Sequence, residues 1–282
     1  SQSVVFFSQS IKRNPQHIES FLGLALAHEK LNEFDKAEKI YKHAKSASPN
    51  NMLVISYFGV YYFILGEYER AVEQFKEQIE LAPNNHWAYL NMAASYYSLG
   101  KIDEAIKFTE VAIDINPSAD SYSNLGTMYF YQSDFHKSVE TFEKMISLND
   151  TDFINWGNLA DAYQYSSNEK SLEAYTQAAE LATQSLLVNP QDTMAIAAKS
   201  YYLANLNQKE ESMILAKKIN QNNTGLEHFI VATAYSKLGE LDRVFKHLNL
   251  AIDKGYPIEE IMTSPLLDSS KADDRFKLLN PE

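Results

Sequence analysis

An all-helical solenoid of helix-turn-helix units is the fold class this sequence predicts, and three observations predict it. Two residue types share one period: Ala37, Ala71 and Ala105 are 34 residues apart, and so are Pro49, Pro83 and Pro117. Aromatic columns keep nearly the same step, with Tyr62, Tyr96, Tyr129 and Tyr163 in one column and Phe34, Tyr68, Ile102 and Phe135 in another. Within each period apolar residues return at i, i+3, i+4 and i+7, which places them on one stripe of a helix.

Taken in order, residues 1–17 read as a helix running into Asn14-Pro15 with no partner before it. Because the chain begins with Ser1, the expectation is the second helix of a truncated repeat in a fragment whose upstream part was removed. Seven units then begin at Ile18, Met52, His86, Ala119, Phe153, Thr193 and Gly225, giving a solenoid over 18–258 divided as 18–51, 52–85, 86–118, 119–152, 153–192, 193–224 and 225–258. Each unit is expected to be two amphipathic helices. Gly66, Gly100 and Gly239 follow a leucine at the end of a first helix, where a residue free to adopt positive φ reverses the chain. Ala37, Ala71 and Ala105 sit early in second helices, where a small side chain lets the pair approach closely. Pro49, Pro83, Pro117 and Pro190 end second helices, and Asn116 and Asn189 before two of them suit an extended pre-proline conformation.

Two units depart from the period. The one from Phe153 carries about six extra residues around SSNEKSLEAYTQ, and the next lacks the proline, with NQNNTG as its joint. The chain closes with residues 259–282, expected to be a capping segment in which Leu266, Leu267, Phe276, Leu278 and Leu279 cover the last apolar face.

Composition narrows the function classes. No apolar run approaches the roughly 20 residues needed to span a bilayer, and the patch Val4 to Phe7 lacks the flanks of a signal peptide. Net charge is −12, from 25 basic and 37 acidic residues, which disfavours nonspecific attraction to nucleic acid or anionic lipid and fits a protein partner better. Cysteine is absent, excluding disulfides, thiolate metal sites and a cysteine nucleophile, and leaving a cytoplasmic or periplasmic location equally open. His28-Glu29 is not followed by the second histidine of a zinc-protease helix, and no phosphate loop, nucleophile elbow or dinucleotide fingerprint occurs. Acid pairs such as Asp273-Asp274 and Glu259-Glu260 lie in the tail, where charge reads as a solvated face. The expectation is a non-catalytic chain with no cofactor and no metal.

The stretch WAYLNMAASYYSLGKIDEAIKFTEVAIDINP, Trp87 to Pro117, resembles the tetratricopeptide repeat, whose unit carries a large residue, Leu-Gly, Tyr, a small residue, an aromatic, Ala and Pro. The resemblance covers about nine-tenths of the chain and implies a right-handed α-solenoid with a concave binding surface. It further implies that first helices form the inner wall, so that the second, fifth, sixth, ninth, twelfth and thirteenth residues of each unit face the groove. The sixth residue is Asn91, Asn124 and Asn158 in three consecutive units. Relatives use asparagines at this place to grip the backbone of an extended peptide, and the resemblance implies the same role here. The plainer alternative is that these amides bond only neighbouring helices or water. Beside them stand Trp87, Tyr97, Phe130, Tyr131 and Tyr165, with Tyr57, Val60, Phe63 and Ile64 in the earlier unit. These form an apolar, aromatic wall of the kind that marks binding, unless individual rings pack on the next unit as Tyr62, Tyr96 and Tyr129 are expected to do. Relatives that grip a terminal carboxylate place Lys or Arg where Ser56, Leu90, Ser123 and Gly157 stand here, so a carboxylate clamp is not expected.

The ending also resembles the C-termini of repeat regions fused to bacterial signalling effectors such as winged-helix regulators and Ser/Thr kinases. Three readings follow. The first is a protein- or peptide-binding scaffold, the regulatory or sensory part of a larger signalling protein. The second is a structural or self-association module, including a homodimer, whose groove is filled by another copy or by its own tail. The third is the regulatory half of a kinase or DNA-binding regulator.

Overall fold

The computed structural model describes residues 2–280; Ser1, Pro281 and Glu282, at the outer ends of the two terminal segments named above, lie outside the described residues. Those residues are all-α and divide into two compact units, one up to Pro117 and one from Ser118. The first holds α1 (Gln2–Arg13) and the hairpins α2 (Ile18–Glu29)/α3 (Phe34–Ala47), α4 (Met52–Ile64)/α5 (Tyr68–Leu81) and α6 (His86–Ser98)/α7 (Ile102–Ile115). The second holds α8 (Ala119–Tyr131)/α9 (Phe135–Leu148), α10 (Phe153–Tyr165)/α11 (Ser171–Val188), α12 (Thr193–Asn205)/α13 (Lys209–Ala216) and α14 (Gly225–Lys237)/α15 (Leu241–Asp253). It ends in α16 (Ile258–Thr263), a 3-10 turn Pro265–Leu267, and α17 (Asp274–Lys277). Within each unit the first helices of successive hairpins lie side by side, α2 on α4 on α6 and α8 on α10 on α12 on α14, the stacking of helix-turn-helix repeats in an α-solenoid.

Local chemistry sets the boundaries. Asn51 caps α4 by accepting from the amides of Leu53 and Val54, Asn85 caps α6, Asp152 caps α10 and Asp192 caps α12, each satisfying donors the helix leaves open. Asn116 (φ −150°, ψ 92°) and Asn189 (φ −130°, ψ 90°) are extended before their prolines. The reversal inside every hairpin uses positive φ, at Gly66 (76°), Gly100 (70°) and Gly239 (73°) as expected, and also at Asn32, Ser133, Ser167 and Asn207.

Close approach within a hairpin is visible where the small residue is replaced. Ala37, Ala71 and Ala105 are fully buried, and at the same register Ser138 and Ser212 donate to the carbonyls of Gly126 (2.9 Å) and Ser200 (2.7 Å) on their own first helices. A Cβ added at Gly59 would lie 2.6 Å from the Phe75 ring, so these helices touch with no room for a methyl group.

The two departures take definite forms. The extra residues lengthen α11 to 18 residues, whereas α13 has 8. The joint after α13 is polar: Asn223 Oδ1 accepts from the Asn220 amide, and Thr224 with Glu227 forms a reciprocal capping box that starts α14. In the tail, Leu267 and Phe276 are buried with Ile261 against Val244, Phe245 and Leu248 of α15, and Leu279 packs beside them. Leu278 is exposed, contrary to expectation, and Leu266 turns to a different cluster, the one built on Phe130, Tyr163 and Tyr201.

Candidate functional site

The first unit presents an open stripe on its first helices. α4, MLVISYFGVYYFI, has no charged residue and is apolar around its whole circumference, the mark of a helix covered on all sides. Only one side is covered. Val54, Ile55, Phe58, Tyr61 and Tyr62 are buried, and Tyr61 and Tyr62 are tied to α3 through hydrogen bonds to the Phe34 carbonyl (3.0 Å) and to Glu38 (3.2 Å). Leu53, Tyr57 (39% exposed), Val60 and Ile64 (61%) follow at i, i+4, i+7 and i+11 and face outward together. On α6, Trp87 is 62% exposed. Asn91 is half-buried on the same helix, and Tyr97, also half-buried, is already engaged within the chain. Phe63 is half-buried too, its ring 5.4 Å from that of Tyr68 in its own hairpin. Tyr96 likewise packs within its hairpin, stacked on Phe108 at 5.4 Å.

The corresponding face of the second unit is filled in part, at Tyr165 of α10 and Ser236 of α14. Asn124 is exposed and Asn158 half-buried. Among the described residues the side-chain amides of Asn91, Asn124 and Asn158 are engaged by no hydrogen bond within the chain. Phe130, expected on the open wall, is only 6% exposed, its ring edge-on to Tyr131 and Tyr165 (5.3 Å) and beside Phe135. Tyr165, also expected on the wall, is covered by the C-terminal segment and donates to the Pro265 carbonyl at 2.6 Å. Burial raises its phenol pKa well above the ordinary tyrosine value. Further along the face, the Ser236 hydroxyl meets those of Ser269 (2.8 Å) and Ser270 (2.7 Å), and Lys237 Nζ donates to Gln164 Oε1 at 3.3 Å.

Sequence reasoning missed a strongly perturbed group of this face. Asp161 is buried on α10 and accepts hydrogen bonds at Oδ1 from the hydroxyls of Tyr175 and Tyr201 (2.6 Å). Burial pushes its carboxyl up to about 7, against the two hydrogen bonds that lower it. The available signal was an acid at the ninth position of a unit, where the neighbouring units carry Val60, Ala94, Thr127, Tyr201 and Thr233.

The tetratricopeptide repeat pattern matches residues 18–51, 88–118 and 119–152, and a second pattern described as a TPR repeat matches 59–100. No curated protein matches the chain by sequence. Among solved structures, a tetratricopeptide repeat protein from Parabacteroides merdae ATCC 43184 superposes with a TM-score of 0.64 at 15% identity, covering 90% of this chain and 98% of that one. MamA from Desulfovibrio magneticus RS-1, residue 41 to its end, gives 0.54 at 20% identity over 62% of this chain and 97% of its own. YrrB, described as a TPR protein with an unusual peptide-binding site, gives 0.52 at 17% identity, covering 68% and 97%. At these identities the likeness to the solved structures is one of fold.

Proposed function

We propose that this chain, a member of the tetratricopeptide-repeat family, is a protein-interaction scaffold whose open first-helix stripe on α4 and α6 receives an extended segment of a partner protein. The observation that carries this reading is an uncharged helix with a second apolar side, Leu53, Tyr57, Val60 and Ile64, left in solvent, with the ring of Trp87 also exposed on the adjoining first helix α6. Contiguous exposed apolar surface of this kind marks an interaction site. YrrB, which shares the fold, is described by its peptide-binding site, which supports the same use of the scaffold here.

The energetics set the expected strength. Covering five half-exposed side chains contributes on the order of 1 kcal/mol each. One hydrogen bond from the Asn91 amide to a peptide backbone adds about 0.5–1.5 kcal/mol. The total stays below the roughly 8 kcal/mol of a micromolar complex, so this stripe alone binds weakly. Asn124 and Asn158, exposed and half-buried on α8 and α10 with unengaged amides, serve as backbone-gripping groups of the second unit in the same reading. Tyr97 and Phe63 support the stripe from its edges.

Residues 1–17 act in this reading as an orphan second helix and 259–282 as a cap. The resemblance of the ending to effector-linked repeat regions supports a regulatory role in a larger signalling protein. The test is binding of a peptide array to wild type and to a Tyr57→Ala/Trp87→Ala variant. Selective loss of bound peptides with an unchanged thermal midpoint is the expected result; full retention of binding overturns the assignment of this stripe. A mass that rises with concentration in the wild type and not in the variant instead assigns the stripe to self-association.

A further inference from the structure

The first unit carries a cleft away from the groove. α1 and α3 both pack on α2, and an open cavity of about 350 Å³ remains between them. α1 is seated by the Ser10 hydroxyl, 2.7 Å from that of Ser20, and by the Phe7 ring lying against Gly23. The cavity floor is apolar, made by Ile11 of α1, Phe21 and Leu24 of α2 and Ile40 of α3. Phe21 and Leu24 are the fourth and seventh residues of their unit, outside the positions that face the groove. The rim is basic: Lys12, Lys39 and His43 line it, and among the described residues no acid does. Both lysines are exposed, and among the described residues neither has an ion-pair or hydrogen-bond partner, in a chain whose net charge is −12.

The next repeat shows how the same place is closed. One period along, Ile11 becomes Lys45, Ile40 becomes Gln74, and Lys39 and His43 become Glu73 and Glu77. Lys45 Nζ donates to Gln74 Oε1 at 2.7 Å and to Glu77 Oε2 at 2.5 Å, bridging α3 to α5. Ile55 and Phe58, the counterparts of Phe21 and Leu24, are buried there. In the first repeat hydrocarbon replaces the bridging pair and cations replace the acids. The result is an apolar floor, with Leu24 and Ile40 half-buried, under a rim of uncompensated positive charge. Such a cleft complements a molecule with a hydrocarbon body and an anionic head.

We propose that the cleft between α1 and α3 is a binding site for a small single-tailed amphipathic anion, of which a medium-chain fatty acid is the simplest member. The tail lies on Ile11, Phe21, Leu24 and Ile40, and the head accepts hydrogen bonds from Lys12, Lys39 and His43. Small-molecule sites occupy roughly 300–1,000 Å³ and combine apolar walls with a few polar groups, which is the pattern here. A stable protein partner needs on the order of 1,000 Å² of buried surface, more than one cleft of this size supplies. The inference is independent of the stripe on α4 and α6, so the failure of either leaves the other standing.

The experiment titrates the full chain with sodium decanoate, below the concentration at which it forms micelles, and follows heat and the His43 ring resonances. Decanoate is expected to saturate one site per chain and to shift those resonances. Hexanoate, four CH₂ groups shorter, should bind at least tenfold more weakly, and decylammonium, with the same tail and the opposite charge, should not saturate. Lys12→Glu/Lys39→Glu, two exposed positions, should weaken decanoate about tenfold or more with helical content unchanged. Lys76→Glu/Lys107→Glu makes the same change of net charge elsewhere in the unit and should leave the affinity within about twofold, as should Tyr57→Ala/Trp87→Ala. Absence of saturable decanoate binding overturns the proposal. Equal loss in the two charge-reversed variants reduces the effect to long-range attraction, and loss in Tyr57→Ala/Trp87→Ala alone moves the ligand to the stripe; each sinks the assignment. A Glu- and Leu-rich helical peptide that shifts the His43 resonances where decanoate does not would give the cleft to a protein partner and overturn it as well.

Discussion

The two units present first-helix faces built to one register, yet the first is open and the second is closed in part by its own chain. The difference lies in what the faces carry. α4 offers hydrocarbon and one phenol, Leu53, Tyr57, Val60 and Ile64, which lose little by facing water. The second unit offers groups with stricter demands: the carboxyl of Asp161, the phenol of Tyr165, the amide of Asn205 and the hydroxyl of Ser236 are all wholly or partly removed from water. All four find partners, in Tyr175 and Tyr201 for Asp161, in Pro265 for Tyr165, in Ser269 and Ser270 for Ser236, and in the Tyr201 carbonyl, which accepts from Asn205 Nδ2 at 3.1 Å. A polar face can be closed only by a segment that supplies matching groups, whereas an apolar face accepts many.

The comparison breaks most visibly at Leu267. Its side chain is fully buried between the tail and α15, so Leu267→Ala should cost about 2–5 kcal/mol of the second unit's stability. Ile64→Ala, which shortens a largely exposed side chain of the first unit, should stay within about 0.5 kcal/mol. Urea unfolding followed by circular dichroism separates the two, and equal costs would show that both faces are covered in solution.

Next in size is the pH dependence that Asp161 gives the second unit. An unfolded aspartate ionises near 3.8 and this one near 7, so between those values the folded chain holds a proton the unfolded chain has released. Stability from this group is therefore greatest on the acid side and is lost as pH rises through that window. Asp161→Asn keeps an acceptor for the two tyrosines and removes the ionisation. Its advantage over wild type should grow from about pH 4 to 7, level off above, and reach on the order of 3–4 kcal/mol. The variant must be compared with wild type at each pH, because an opposing pair lies in the same unit. His228 and His247 are buried with Nδ1 atoms 3.0 Å apart, and burial depresses both, His247 to about 4. They lose stability as pH falls from about 6.5, so the two slopes partly cancel in the wild type. A parallel pH profile for Asp161→Asn and wild type would rule out the raised carboxyl.

How much of this stood in the sequence follows from which interactions are periodic. The hairpins, their close-packed small residues and their prolines recur every 34 residues because each unit repeats the same contacts, and repetition is readable. Positive φ was readable only where glycine marked it; at Asn32, Ser133, Ser167 and Asn207 the same conformation is imposed by the hairpin on residues that tolerate it less well. The face of α4 and α6 was readable from register, with Tyr57 and Trp87 both outward. The face of the second unit was not. Phe130 and Tyr165 occupy groove positions by register, but Phe130 is closed in by the rings of Tyr131, Phe135 and Tyr165, and Tyr165 bonds a segment 100 residues further along, at Pro265, and a contact made once leaves no period.

The smallest prediction tests whether the units differ in scaffold as well as in face. The first unit turns on Asn32, Gly66 and Gly100, and the second on Ser133 and Ser167, with φ of 62° and 58°, and on Asn207 and Gly239. A left-handed residue with a Cβ carries a cost of about 1–2 kcal/mol, which glycine avoids at an entropic penalty of about 0.5–1 kcal/mol. Ser133→Gly should therefore stabilise the chain by roughly 0.5 kcal/mol and raise the thermal midpoint by about 1–2 °C, while Gly66→Ser should do the reverse. Matched shifts of opposite sign, read by thermal unfolding, would mean that the hairpins of the two units are interchangeable in their turns. The contrast between an open and a closed face then rests on the side chains of the first helices and on the segment that covers them. A shift for Ser133→Gly as large as that for Leu267→Ala would instead place the difference in the turns themselves.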